Sequence, residues 1–104
     1  MKEIISLKSL PDGIVITSNL LSVGALRAIK EKGLKIPNDI GIAIFDEVYL
    51  ADLANPPLTV VVQPAEEMGK EAAKILIERI NGNTSMPKRE IVFEPRLIIR
   101  ESTR

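Results

Sequence analysis

No cysteine, histidine or tryptophan occurs among the 104 residues, and each absence closes off some chemistry. Without His or Cys the chain lacks a zinc site of the usual ligands, a thiol nucleophile, an imidazole general base and any disulfide framework. Charge of one sign is also missing, since 14 Lys plus Arg stand against 14 Asp plus Glu. Nucleic-acid backbones are held by Lys and Arg, so a balanced chain is expected not to grip DNA by itself. No apolar run approaches the roughly 20 residues of a membrane helix. The opening MKEIISLKSL alternates charged and apolar residues and lacks the apolar stretch of a secretory signal. A cytoplasmic location with no membrane span is expected. The six glycines are scattered, and neither GxGxxG nor GxxxxGK occurs.

What is present is the composition of a globular domain, 45% hydrophobic and 27% charged, and the length supports one compact domain. Short apolar runs alternate with helical patterns, which points to an α/β fold with a parallel sheet flanked by helices. Gly13-Ile-Val-Ile-Thr17 reads as a buried strand. Ser18 and Asn19 are helix-capping types, and Val23, Ala25, Leu26 and Ile29 recur at helical spacing up to Gly33, so a helix is expected over 20–32. Ile40 to Phe45 is a second strand ending in Asp46-Glu47. Residues 48–54 have room for two helical turns before Asn55-Pro56-Pro57. Leu58 to Val62 is a third strand, and Pro64 suits the first position of a helix. In that helix Met68, Ala72, Ile75, Leu76 and Ile80 form an apolar stripe with charged residues outside it. Two extended stretches, Glu90 to Glu94 and Arg96 to Arg100, complete the chain.

Ligands of open α/β sheets bind outside the carboxyl ends of the strands. Thr17-Ser18-Asn19, Asp46-Glu47 and Gln63 each follow a strand directly and so point to one edge. They offer hydroxyl, amide and carboxylate groups, the mixture that a polyhydroxylated ligand needs. Each also has a plainer reading: a helix cap for Ser18 or Asn19, a solvated carboxylate for Asp46, a loop hydrogen bond for Gln63. The basic residues Arg27, Lys30, Lys32 and Lys35 are interrupted by Glu31, and a helix carboxyl end collects cations for dipole reasons. A phosphoacceptor role for Asp46 would need further acidic neighbours to hold magnesium, and the first strand ends without one. Asp46 and Glu47, as neighbours in sequence, need not face one substrate. The chain is therefore expected to be no enzyme and to carry no cofactor or metal.

The segments PDGIVITSNLLSVGALRAIKEKGLKIPNDIGIAIFDE, NPPLTVVVQPAEEMGKEAAKILIERINGN and EPRLIIREST resemble, in order and spacing, the carboxyl-terminal part of LacI/GalR-family transcriptional regulators. The resemblance covers nearly the whole chain from Pro11. It implies that residues 1–104 form the C-terminal subdomain of an effector-binding core with the type I periplasmic-binding-protein fold. The DNA-binding headpiece and the N-terminal subdomain would lie outside this chain.

By the same resemblance the ligand-contacting aspartate falls on Asp46 and the bridging glutamine on Gln63. Ser18 and Asn19 stand where the family often has Asn-Asp, and Glu47 where it often has a second Asp. A small-molecule effector, a sugar or sugar acid, is implied, and its binding would favour one arrangement of the subdomains and so respace the DNA-binding heads. Operator DNA would be contacted only through the headpiece. A homodimer is implied through Val23, Leu26 and Arg27 on the first helix and Tyr49, Leu50 and Leu53 after the FD pair. The alternative is a stand-alone or transport-associated sugar-binding module of the same fold.

Overall fold

The apolar runs become strands because β-branched residues fit a pleated surface covered on one side. In the computed structural model, which describes residues 1–46, 51–83, 85 and 87–104, β1 (Gly13–Ile16), β2 (Gly41–Phe45) and β3 (Thr59–Val62) run parallel. A fourth strand, β4 (Arg96–Ile98), pairs antiparallel with β3, giving the order β1-β2-β3-β4. Ile16, Ile44, Val60 and Ile98 fall in one row of the register. Ile42, Ile44 and Val60 are fully buried on that face. Helix α1 (Asn19–Lys32) contributes Ala25, Ala28 and Ile29 to the same core.

Helix α1 ends at Gly33, whose φ of 76° is left-handed. The Gly33 amide donates to the Lys30 carbonyl at 3.0 Å and the Leu34 amide to the Ile29 carbonyl at 3.2 Å, so the last turn is closed by backbone alone. A side chain at Gly33 would meet open space, so its only penalty is conformational. Gly33→Ala is expected to lower the unfolding free energy by about 1–2 kcal/mol, measurable by urea denaturation.

The chain forms two compact units, Met1–Val62 with Arg96–Arg104, and Gln63–Pro95. The second unit holds α2 (Ala65–Ile80), with Glu66 and Glu67 in its first turn and Arg79 in its last, as the helix dipole favours. Pro64 is its N-cap rather than its first helical residue. None of its residues is buried. Arg89 donates to the Glu78 carboxylate at 3.2 Å, tying the following segment to the helix. Glu90 to Glu94 forms no strand. Of the expected turns over 48–54, residues 48–50 lie outside the described residues and 51–53 form a turn.

Candidate functional site

The parallel register brings the carboxyl ends of β1 and β2 to one edge of the first unit. Ile16 pairs with Ile44, so Thr17-Ser18 leaves β1 beside the point where Phe45-Asp46 leaves β2. β3 runs alongside, and the Asp46 amide donates to the Val61 carbonyl at 3.0 Å. That bond holds Asp46 in a left-handed conformation with φ 84°, where it is the one non-glycine residue with positive φ among those described. Asp tolerates this region better than most residues, but the conformation still costs free energy. Asp46 is half-buried, and Phe45 beside it keeps 38% of its surface exposed.

Ser18 is the N-cap of α1 in extended conformation, yet its side chain makes no capping hydrogen bond. The plain capping role weighed for it in sequence is thus not the one its hydroxyl plays. In the same turn the Ser22 hydroxyl donates to the Asn19 carbonyl at 2.6 Å. Asn19 is the first residue of α1 and is exposed. Ser18, Asn19 and Asp46 therefore share the carboxyl edge of the first unit. Gln63 follows β3 directly, is half-buried, and begins the second unit. Glu47 lies outside the described residues, as do Tyr49 and Leu50.

The residues expected at a dimer interface separate by exposure. Val23, Arg27 and Leu53 are exposed, while Leu26 is partly buried against the core. Sequence reasoning missed the left-handed backbone of Asp46, since its only signal is the tolerance of Asp for that region. No helix among the described residues is long and apolar enough to cross a membrane.

A family model described as a periplasmic binding protein-like domain matches residues 1–103. The transcriptional regulator CelR of Thermobifida fusca is 37% identical over 98% of this chain and 30% of its own length. The ribose operon repressor of Haemophilus influenzae is 36% identical over the same shares. Among solved structures, a putative transcriptional regulator LacI from Bacillus cereus subsp. cytotoxis superposes with a TM-score of 0.90 at 30% identity, covering 99% of this chain and 36% of that one. A CelR–cellobiose complex superposes at 0.77 with 40% identity, covering 88% and 28%. The chain thus spans about 30% of the length of the curated relatives it matches. With the mixed sheet, α1 and the matched domain in agreement, the chain belongs to the periplasmic binding protein-like family, in the line of the LacI-type transcriptional regulators.

Proposed function

We propose that this chain is the effector-sensing portion of a DNA-binding transcriptional repressor, and that its effector is a sugar or sugar-derived metabolite. The observation that carries the reading is Asp46, held in a left-handed backbone at the carboxyl edge of the sheet in a chain whose relative was solved with cellobiose. An unfavourable conformation persists where the surroundings impose it, and such residues cluster at ligand sites. The Asp46 carboxylate accepts hydrogen bonds from ligand hydroxyls, and the Ser18 hydroxyl adds a donor and acceptor. Asn19 and Gln63 supply amides. The chain performs no catalysis; its work is a shift between arrangements of the effector core, read out as operator affinity through a headpiece beyond this chain. A cytoplasmic location fits that work. Residues 1–104 are read as the C-terminal subdomain of the effector-binding core, which the family match over residues 1–103 supports.

The test is operator binding by a polypeptide of the relatives' length that carries this chain, titrated with cellobiose, ribose and glucuronate. At least one of them, or another sugar of a wider panel, is expected to change operator affinity tenfold or more. Sugar binding without any change in operator affinity would favour a plain binding module, and no sugar binding at all would overturn the reading.

Dimerisation is proposed through α1, where Val23 and Arg27 are exposed and Leu26 is partly buried, with Leu53 and with Tyr49 and Leu50. Exposed apolar side chains in one stripe favour self-association. Val23→Glu and Leu53→Glu are each expected to raise the dimer dissociation constant at least about tenfold, a loss of about 1.4 kcal/mol, by analytical ultracentrifugation. Unchanged constants for both would reject this face.

A further inference from the structure

The amino edge of the sheet carries a second concavity. A pocket of about 700 Å³, wholly within the first unit, opens between the carboxyl half of α1 and the segment leading into β3. Its apolar surface comes from the half-buried Leu34, Ile36, Ala54 and Pro56, with the almost fully buried Ile29 and Leu58 beneath them. Lys30, Lys35 and Asn55 supply polar groups. This volume and this mixture, apolar walls with a few polar groups, are those of small-molecule sites. The parallel strands place it about 13 Å from the carboxyl edge, the length of four residues at roughly 3.3 Å each.

The charge of this pocket names the occupant. No Asp or Glu lines it among the described residues. Neither Lys30 nor Lys35 has an ion pair among those residues, whose salt bridges are Lys70–Glu66 and Arg89–Glu78. The nearby carboxylate of Asp39 accepts the backbone amide of Lys35 at 2.7 Å rather than either ammonium. In sequence these lysines read as cations answering the helix dipole. In the structure the carbonyls of Ile29 and Lys30 already receive the amides of Leu34 and Gly33, so the helix end is closed without them. Two unpaired cations over apolar walls complement an anion with an apolar body.

We propose that this pocket binds an amphipathic monoanion, a small carboxylate with an aliphatic or aromatic body, independently of the sugar site at the carboxyl edge. Lys30 and Lys35 would hold the carboxylate while Leu34, Ile36, Ala54 and Pro56 take the body.

The test is an NMR titration of the ¹⁵N-labelled 104-residue chain with octanoate, and with 1-octanol as the neutral counterpart. Octanoate is expected to give saturable shifts confined to the non-proline amides of residues 26–38 and 54–58, with 1-octanol binding at least about tenfold more weakly. A Lys30→Gln/Lys35→Gln variant should lose that preference while still binding 1-octanol. Ala54→Phe, which fills the pocket and leaves its charge alone, should weaken both ligands, and unshifted amides of β2 and β3 report that each variant is folded. Shifts that fail to saturate, equal affinity for the two probes, or amides of this region that respond to protein dilution but not to octanoate would each overturn the proposal. The last of these would show a second copy of the chain in the pocket.

Discussion

Asp46→Asn is expected to weaken sugar binding about 10- to 100-fold while changing the unfolding free energy by no more than about 0.5 kcal/mol. The first figure follows from the roughly 1.5–3 kcal/mol carried by hydrogen bonds to a charged group, at about 1.4 kcal/mol per factor of ten. The second follows from the similar tolerance of Asn and Asp for the left-handed region, since the backbone at φ 84° need not change. Asp46→Gly separates the two effects further. Glycine enters this region freely, so the variant is expected to gain up to about 1 kcal/mol of stability, yet to bind sugar no better than Asp46→Asn. Calorimetric titration of the effector together with urea unfolding of each variant checks both arms. If the glycine variant binds sugar as the parent does, Asp46 is not a ligand residue. If it is less stable, the contacts of the Asp46 side chain outweigh the relief of its left-handed backbone.

That strain is invisible in the sequence, and the reason is physical. Ile40 to Phe45 announces β2 through its own composition, and the helical spacing up to Gly33 announces α1, because periodicity and capping are local properties. The left-handed turn at Asp46 depends on an amide bond to Val61 in the neighbouring strand, which no local pattern encodes. The same holds for β4. Arg96 to Arg100 reads as extended, but its antiparallel pairing with β3 is decided by a partner more than thirty residues earlier. The division at Val62 and Gln63 has no linker composition to mark it, since Val-Gln-Pro reads equally well as a strand end running into a helix. Of the candidate site, residue types and their place at strand ends were legible, and the resemblance supplied their roles. The unused Ser18 hydroxyl and the pocket at the opposite edge are consequences of tertiary packing, and only the folded chain displays them.

The carboxyl-terminal turn, Glu101–Thr103, illustrates the same limit with the largest expected loss of stability. Ser102 is fully buried; its hydroxyl donates to the Ile42 carbonyl at 2.6 Å and accepts the Thr59 amide at 2.8 Å. One side chain thus satisfies backbone groups of two adjacent strands at once. Around it the Arg100 amide donates to the Thr59 hydroxyl at 2.8 Å, and the Arg100 guanidinium to the Leu58 carbonyl at 2.7 Å. Ser102→Ala removes the bridge and leaves a buried donor and a buried acceptor unpaired. At about 1–3 kcal/mol for each orphaned group, the expected loss is about 2–6 kcal/mol, a large part of the roughly 5–15 kcal/mol that holds a domain together. The unfolding midpoint should fall by about 10–25 °C. Ser22→Ala is the matched control, because Ser22 is equally buried but its hydroxyl donates only to Asn19 within its own helix. Alanine favours a helix interior, so that change should stay within about 1 kcal/mol. Circular-dichroism melts of the two variants decide the matter. Equal midpoints would mean that the terminal turn frays without consequence; a drop confined to Ser102→Ala would show that the last residues of the chain hold the amino ends of β2 and β3, whose opposite ends carry Asp46 and lead to Gln63.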